Sequence, residues 1–467
     1  MTPGASRYAP RTPQTRPSIL ERALAAAWRR PWLWGWIAAS AALVPLLSFR
    51  GQSELTGCYL PAAARVIEGQ PLPGPEAWVY PPFFALPVLP LVWVPVPVAR
   101  VAWCALLVGC AVLSARSIWN TLMLDDAFRQ AVKVPWRFFV FVGSLAAGAG
   151  GHALVPLGYQ SHDLIVMALV CAGAWQGACA FDALRDRPNP ARERSAGVRF
   201  GLAASCKVMP ALFLPALVAE RRWRAAAWMG LTGLACAVAF DALAWACTGR
   251  AHFLAWLRLA SGGSDLTASG GGRWGAWNPL NQSGTGILTR LMVPTPPELG
   301  LDHECMVVAV SEAGRRAVLG TWVALVVGAV MVCAWRTSLA PRMRFGQQGC
   351  SPPMHALASA GAVACAYLLI APHTSNYHFA PVAIASAAML GWMLTRGRDM
   401  VMLACLAIAI GIELTPGRDV LGGRLADIKL AYGSVGVCAL AGLVGSMRVM
   451  ACSARQGRAS IGWVTSC

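Results

Sequence analysis

The stretch that decides the fold runs from residue 353 to residue 395. It reads PMHALASAGAVACAYLLIA at 353–371, PHTSNYH at 372–378 and FAPVAIASAAMLGWMLT at 379–395. Each apolar run is long enough to cross the hydrocarbon core of a bilayer as a helix, which takes about 17–25 residues. A short polar turn joins the two runs. The pattern therefore predicts a transmembrane helical hairpin.

Most of the remaining chain repeats this pattern. Of its 467 residues, 57% are hydrophobic and 13% are charged, whereas about 25% of a typical soluble protein is charged. This composition excludes a soluble enzyme, a disordered chain and a secreted disulfide scaffold. We predict an all-α polytopic membrane protein with a bundle of about 10–12 transmembrane helices and both termini in the cytoplasm.

Basic residues outnumber acidic residues, and their placement follows the apolar runs. The chain has 39 Lys and Arg against 21 Asp and Glu, a net charge of +18. The basic residues cluster in short loops between apolar runs, as the positive-inside rule describes for cytoplasmic loops. We therefore interpret the charge as a topology signal and expect no nucleic-acid partner. Residues 248–315, 372–378 and 415–428 then lie on the extracytoplasmic side.

Two apolar stretches differ from ordinary transmembrane helices. Residues 81–97 are rich in proline, which removes a helix hydrogen bond and clashes with the preceding turn, and residues 200–219 carry a lysine and a proline in their middle. If both stretches cross, the basic loops 119–136 and 182–199 lie outside, against the charge rule. We favour broken or re-entrant segments that border a wet cavity, because irregular backbone at membrane depth needs such a cavity or a cover of protein. The spans then number about ten, and otherwise about twelve.

The predicted organisation is one membrane domain with two tails. Residues 1–30 form a basic cytoplasmic tail, residues 31–447 a single transmembrane domain, and residues 448–467 a second cytoplasmic tail. Just after the first span, apolar residues recur at helical spacing and predict a short interfacial helix. These residues are Leu55, Tyr59, Ala62 and Val66.

Two carboxylates near the extracytoplasmic surface are candidates for a general base. Glu54 lies just beyond the first span, and Asp163 opens an apolar span in the sequence GYQSHD. A carboxylate next to a reacting hydroxyl can accept its proton. The structural alternatives are a solvated surface residue for Glu54 and a helix cap for Asp163.

Cationic and imidazole side chains are candidates for binding a phosphate. Lys207 sits inside an apolar run, where an ammonium costs about 2.5–3.5 kcal/mol on insertion scales and marks a functional candidate. A phosphate is its natural partner, and a lysine that reaches the membrane surface is the alternative. His373 and His378 lie in the turn PHTSNYH, and histidine can orient a phosphate or transfer a proton. The spacing of these residues does not demand a metal site, and we predict none.

Amide and aromatic side chains complete the candidate site. Asn281 and Gln282, in NPLNQS at 278–283, have hydrogen-bonding groups that suit a sugar, although such residues also build ordinary turns. Tyr80 leads into the proline-rich stretch and is a candidate for orienting the sugar or the acceptor. An interfacial tyrosine is otherwise a common belt residue.

A series of fragments along residues 31–395 resembles glycosyltransferase family 87, a bacterial group of membrane glycosyltransferases of the GT-C type. The fragments are YLPAAARVIEG at 59–69, WVYPPFFALPVLPL at 78–91, LGYQSHDLIVMAL at 157–169, GLAASCKVMPALFLPALVAERRWRA at 201–225, NQSGTGILTRL at 281–291 and APHTSNYHF at 371–379.

The resemblance implies a GT-C-like helical bundle and a particular chemistry. A sugar, commonly mannose, leaves a polyprenyl-phosphate carrier on the extracytoplasmic face and is transferred to an acceptor hydroxyl with inversion at the anomeric carbon. No cofactor is implied. The family places an aspartate after the first span, where this chain has Glu54, and paired histidines after Ser-Trp, where it has Ser375-Asn-Tyr-His378 with His373 ahead.

We therefore expect a multi-pass hexosyltransferase of the plasma membrane with Glu54, His378 and Asp163 as catalytic candidates. Its partners would be the polyprenyl-phosphate-linked donor, a glycan or glycolipid acceptor, and membrane lipids. The residues expected to hold the donor's phosphate or sugar are Lys207, His373, Asn281, Gln282 and Tyr80. A lipid or sugar transporter shares the helices and the buried lysine, and a catalytically degenerate family member is a third alternative.

Overall fold

The fold is described here from a computed structural model. The structure describes residues 31–48, 53–72, 80–181, 188–263, 276, 278, 280–294, 308, 310–338, 351–415, 425–426 and 428–462. All regular secondary structure in these residues is helical, which confirms the predicted all-α class. The predicted N-terminal tail, residues 1–30, lies outside the described residues, as do residues 463–467.

The chain forms helices of very different lengths. In chain order they are α1 (Pro31–Ser48), α2 (Leu60–Ile67), α3 (Val96–Leu122), α4 (Asp126–Ala131), α5 (Pro135–Tyr159), α6 (Asp163–Ala180), α7 (Pro190–Cys206), α8 (Phe213–Ala219), α9 (Trp223–Thr248), α10 (Phe253–Gly263), α11 (Gly284–Met292), α12 (Glu312–Thr337), α13 (Pro352–Ile370), α14 (Val382–Arg396), α15 (Met400–Leu414) and α16 (Ser434–Gly462). Short 3₁₀ helices cover Pro82–Ala85, Leu89–Trp93, Met209–Leu212 and Asn376–Phe379, and a π-helical turn, Leu55–Tyr59, leads into α2.

Eight of the described helices are long and apolar enough to cross a membrane. They are α3, α5, α6, α9, α12, α13, α14 together with its preceding 3₁₀ turn, and α16. The sequence predicts the hairpin of α13 and α14, and both of these helices are almost completely buried at the centre of the bundle. Outer helices expose large apolar side chains, as lipid-facing surfaces do, for example Leu231, Leu234 and Leu325.

The two ends of the bundle differ in charge. We call the end that holds Arg222, Arg396 and Arg448 the basic end. Arg396, at the end of α14, pairs with Asp125 (2.7 Å), which follows the end of α3. This ion pair joins two helix ends that lie far apart in the sequence. Exposed tryptophans occur at both ends, where aromatic belts form in membrane proteins. They are Trp136, Trp223 and Trp335 at the basic end and Trp93 and Trp245 at the opposite end.

The segment 200–219 is broken and returns to the basic end. Helices α7 and α9 run parallel, since an added Cβ at Gly197 would lie 2.2 Å from the Ala225 carbonyl oxygen, and one at Gly201 would lie 2.7 Å from that of Met229. The chain between two parallel helices must come back to the starting level. It leaves α7 at Lys207 and returns through a 3₁₀ turn and α8. The sequence predicts this break from the lysine and proline in the segment.

The segment 81–97 also fails to cross. Its prolines break it into the two 3₁₀ helices Pro82–Ala85 and Leu89–Trp93. Phe84 at its start and Trp103 in α3 both pack against Tyr59, with ring centroids 5.1 and 5.8 Å away. The segment therefore begins and ends at the same depth in the bundle, at the end opposite the basic end.

Neither of these two segments adds a crossing. Eight of the described helices have the length and composition of a membrane span, and α1 and α15 are shorter apolar helices that pack beside them. The total of about ten spans stays a prediction. Helix α16 continues to Gly462, so part of the predicted C-terminal tail, residues 448–467, extends the last helix.

Candidate active site

The junction of α5 and α6 forms the floor of a polar cluster opposite the basic end. Gln160 ends α5 in the left-handed region, with φ of 56°, a conformation that side chains other than glycine rarely adopt and that often occurs at functional sites. Its carbonyl accepts a hydrogen bond from Trp103 Nε1 (2.8 Å), and its amide donates to the Leu47 carbonyl (3.0 Å). Ser53 donates to the Gln160 side-chain oxygen. Gln160 thus links the start of the interfacial segment to α1 and α3.

The π-helical turn brings Glu54 and Tyr59 together. In an α-helix of 3.6 residues per turn, residues five apart point about 140° away from each other. A π-helical turn joins residues five apart, so the Tyr59 hydroxyl can donate to the Glu54 carboxylate, as it does here. The predicted apolar face of this segment is present, since Leu55, Tyr59, Ala62 and Val66 are all buried.

His162 lies behind the Tyr59 hydroxyl. Its Nδ1 is 2.9 Å from Tyr59 Oη, and its backbone N–H donates to the same oxygen at 3.3 Å. The imidazole ring packs against Tyr80 and Phe84, with centroids 4.4 and 4.3 Å away. Complete burial lowers the pKa of His162 to about 3, so the ring is neutral at physiological pH.

Asp163 is the centre of a second group of contacts. Lys207 Nζ lies 2.6 Å from Asp163 Oδ1, and Ser161 Oγ donates to Oδ2 at 2.8 Å. His378 Nε2 approaches Oδ2 at 3.5 Å. The break after α7 is what frees Lys207 to reach Asp163, because Lys207 is the extended residue that ends the helix.

The turn between α13 and α14 supplies His378 and Tyr377. The Ser375 backbone N–H donates to His378 Nδ1 (3.1 Å), so the ring proton of a neutral His378 must be on Nε2, the atom that faces Asp163. The Tyr377 ring packs on Tyr159, with centroids 5.3 Å apart. The turn therefore presents a histidine N–H and a phenol to the same cluster.

Asn281 and Gln282 hold this turn from outside. Asn281 Nδ2 donates to the Pro372 carbonyl (2.9 Å), and the Gln282 backbone N–H donates to the Thr374 carbonyl (2.5 Å). The Gln282 side chain donates to the Leu430 carbonyl at 2.7 Å. The sequence suggests a sugar-binding role for both amides; in the structure they are buried and hydrogen-bond to the chain's own backbone.

Glu54 differs electrostatically from Asp163. Within the part of the chain that the structure describes, Glu54 makes no ion pair, and its polar neighbours are the hydroxyls of Tyr59, Tyr377 and Ser161. Burial raises the pKa of the Glu54 carboxyl above its ordinary value, and the nearby charge of Asp163 raises it further, while these hydroxyls oppose the rise. A carboxylate with a raised pKa that remains half-buried rather than sealed is suited to accept a proton.

The structure brings together most of the residues that the sequence singles out. Glu54, Asp163, Lys207, His378 and Tyr80 belong to one cluster, and His373 lies half-buried in the adjoining turn. No chemical role is predicted from the sequence for Tyr59, Ser161, His162 and Tyr377. All four lie inside the fragments that resemble the family, and His162 and Tyr377 adjoin Asp163 and His378. The π-helical turn that brings Tyr59 to Glu54 has no sequence signature. No group of three potential metal ligands occurs among the described residues.

The fold and this cluster define a polytopic helical membrane protein with a polar site at one end of its bundle. The chain belongs to glycosyltransferase family 87, whose sequence model matches residues 78–346, more than half of the chain. The family indicates a membrane glycosyltransferase, with a sugar donor and an acceptor. The matched range includes Tyr80, Asp163 and Lys207, whereas Glu54 and His378 lie outside it. No curated protein and no solved structure matches the chain.

Proposed function

We propose that this glycosyltransferase moves a hexose, with mannose as the first candidate, from a polyprenyl-phosphate carrier to a hydroxyl of a glycan or glycolipid. The observation that carries the proposal is the joint placement of a carboxylate and a cation. Glu54 reaches Ser161, Ser161 hydrogen-bonds Asp163, and Asp163 pairs with Lys207. A proton acceptor and an anion-binding group thus occupy one cluster, as an acid-base sugar transfer from a phosphate requires.

Glu54 is the proposed general base, and Asp163 is not. The Asp163 carboxylate already interacts with an ammonium at 2.6 Å and a hydroxyl at 2.8 Å. These contacts stabilise its anionic form and weaken it as a proton acceptor. Among the described residues the hydrogen-bond partners of Glu54 are hydroxyls, and burial together with the Asp163 charge raises its pKa. Its carboxylate takes the proton of the acceptor hydroxyl while that oxygen bonds to the anomeric carbon.

Lys207 and His378 are the proposed phosphate-binding residues. As the anomeric carbon–oxygen bond breaks, its electron pair remains on the departing phosphate. The Lys207 ammonium contacts Asp163 Oδ1 and the Nε2–H of His378 faces Asp163 Oδ2, and both can donate to phosphate oxygens. Asp163 holds these donors in place before the donor substrate arrives. In this proposal Asn281 and Gln282 support the turn that carries His378, and Tyr80 lines the cluster.

The site faces the extracytoplasmic side in this proposal, and both termini are cytoplasmic. The support is the charge distribution, since the arginines of the basic end lie opposite the cluster and basic residues favour the cytoplasm. A plasma-membrane location follows from the same orientation and from the lipid-linked donor.

A transfer assay with purified protein tests the proposal. The full chain in detergent, given radiolabelled mannosyl-phospho-polyprenol and a membrane lipid extract as acceptor source, is expected to release polyprenyl phosphate and label the extract. A transporter would bind the lipid without releasing polyprenyl phosphate. Absence of release with mannosyl, glucosyl and galactosyl carriers alike would contradict the lipid-phosphate donor.

A further inference from the structure

The proposed reaction gives no role to the hydroxyl of Tyr59. It lies between the Glu54 carboxylate and the His162 ring, and Tyr59 is completely buried. A buried hydroxyl needs hydrogen-bond partners, but it does not need a carboxylate. The partner here is the residue to which we assign the proton transfer.

The arrangement of hydrogen bonds around this hydroxyl is directional. Tyr59 has one hydroxyl proton, and it donates that proton to Glu54. His162 Nδ1 lies 2.9 Å from the same oxygen, and the His162 backbone N–H donates to it at 3.3 Å. The backbone donor and the imidazole behind the oxygen fix its position, and the backbone N–H polarises its O–H towards Glu54.

We infer that Tyr59 is a positioning residue that orients the Glu54 carboxylate and sets the pH range in which it accepts a proton, and that His162 holds the Tyr59 hydroxyl. This inference rests on the proposed function, in which Glu54 is the base. The aromatic rings of Tyr80 and Phe84 keep His162 in place. The π-helical turn is the backbone feature that makes the contact between Glu54 and Tyr59.

The groups that face Glu54 come from four parts of the chain. Its own turn contributes Tyr59 and Cys58, the start of α6 contributes Asp163 with Ser161, the turn before α14 contributes Tyr377, and the segment before α3 contributes Tyr80. Lys207 and His378 lie behind Asp163. Burial and the Asp163 charge raise the pKa of Glu54, and the hydrogen bond from Tyr59 lowers it. Removal of the Tyr59 hydroxyl therefore moves the ionisation of Glu54 to higher pH.

A chemical titration of Glu54 tests this without any substrate. Dicyclohexylcarbodiimide modifies protonated carboxyl groups in apolar surroundings, and peptide mass spectrometry measures the modified fraction of Glu54 against pH. We expect Tyr59→Phe to move the midpoint of modification up by about one pH unit or more, since a hydrogen bond to a charged group is worth about 1.5–3 kcal/mol and one pKa unit equals 1.36 kcal/mol. Tyr432→Phe, at an exposed tyrosine, is the matched control and is expected to leave the midpoint unchanged.

Kinetics test the same inference in the transfer reaction. In Tyr59→Phe, kcat is expected to fall about 10- to 100-fold, as misplacement of a reacting group does, with the KM for mannosyl-phospho-polyprenol unchanged. The acidic limb of the pH–rate profile is expected to move to higher pH, in the same direction as the chemical titration. His162→Leu is expected to reproduce both effects, and His162→Asn, whose amide nitrogen can replace Nδ1, is expected to recover much of the loss.

A double variant separates positioning from general damage to the fold. Because Tyr59 acts through Glu54, adding Tyr59→Phe to Glu54→Gln is expected to cost no further activity. If Tyr59→Phe left both kcat and the modification midpoint unaltered, the inference about Tyr59 would be overturned. If Glu54→Gln were inactive in the same experiments, Glu54 would remain the proposed base. A fully active Glu54→Gln protein would overturn the proposed base and the role of Tyr59 together.

Discussion

Both ends of the bundle bury carboxylates, but they surround them differently. At the basic end, Arg222 contacts Glu193 through two nitrogens at 2.8 and 2.9 Å and lies 3.5 Å from Glu220. All three side chains are less than a tenth exposed. Each of these carboxylates therefore faces a guanidinium that is permanently charged.

In the candidate site at the opposite end, one carboxylate has a cation and the other has none among the described residues. Asp163 pairs with Lys207, while Glu54 receives the Tyr59 hydroxyl. A hydroxyl donor satisfies an oxygen without neutralising its charge, so Glu54 keeps its basicity. This difference in partners, more than any difference in burial, is the reason for proposing a chemical role for Glu54 and a structural role for Glu193 and Glu220.

The largest effect is expected from removing the charge of Glu54. Glu54→Gln is expected to lower kcat about 10²- to 10⁴-fold, the contribution typical of a general base, because glutamine cannot accept the acceptor's proton. The measurement is the rate of polyprenyl-phosphate release from mannosyl-phospho-polyprenol. Thermal unfolding in detergent is expected to be unchanged or slightly improved, since burial disfavours the charged carboxylate.

Glu68→Gln is the matched control for this variant. Glu68 follows α2 on the same interfacial segment and is exposed, so its substitution is expected to leave kcat unchanged. If Glu54→Gln released polyprenyl phosphate at the rate of the Glu68→Gln protein, Glu54 would not be the base.

The basic end is expected to respond in stability rather than in chemistry. Arg222→Met leaves Glu193 and Glu220 buried without their guanidinium, and breaking a buried pair in this way costs about 3–5 kcal/mol. The unfolding midpoint of the protein in detergent is expected to fall, with kcat retained by the folded fraction at low temperature. Arg221→Met, at the exposed neighbour, should leave the midpoint unchanged. If Arg222→Met lowered kcat with an unchanged unfolding midpoint, the basic end would take part in the reaction, contrary to the structural role proposed for it.

Much of the fold follows from the sequence because membrane burial imposes strong rules. Apolar runs of sufficient length become spanning helices, and proline or a charge within such a run breaks it. The two irregular segments were predictable in kind for this reason. Their paths depend on tertiary contacts, such as the close approach of α7 and α9 at Gly197 and Gly201, which no single-chain pattern contains.

The site follows from the sequence only in part. Lys207 and Asp163 stand out because charges in apolar surroundings are costly, and both belong to the cluster. The sequence suggests a phosphate partner for Lys207, but it does not reveal that Asp163 occupies that position in the free protein. Asn281 and Gln282 resemble sugar ligands in the sequence because an amide side chain can hydrogen-bond a sugar or a backbone group equally well. Their bonds to Pro372 and Leu430 depend on the folded structure.

The smallest effect is expected from replacing Lys207, the cation that pairs with Asp163 and that Glu54 lacks. Lys207→Met is expected to raise the KM for mannosyl-phospho-polyprenol about 10- to 100-fold, since a hydrogen bond to a charged group contributes about 1.5–3 kcal/mol. It also leaves Asp163 buried without its ammonium, so the unfolding midpoint is expected to fall. Lys133→Met, at an exposed lysine, controls for the loss of a positive charge.

Adding Asp163→Asn to Lys207→Met separates these two consequences. The neutral amide no longer requires a cation, so the unfolding midpoint is expected to recover, while the KM remains high because the phosphate still lacks its ammonium. Recovery of both quantities would mean that Lys207 serves only to neutralise Asp163, as Arg222 neutralises Glu193. The phosphate role would then pass to other groups, with His378 Nε2 the first to examine by measuring KM in His378→Gln.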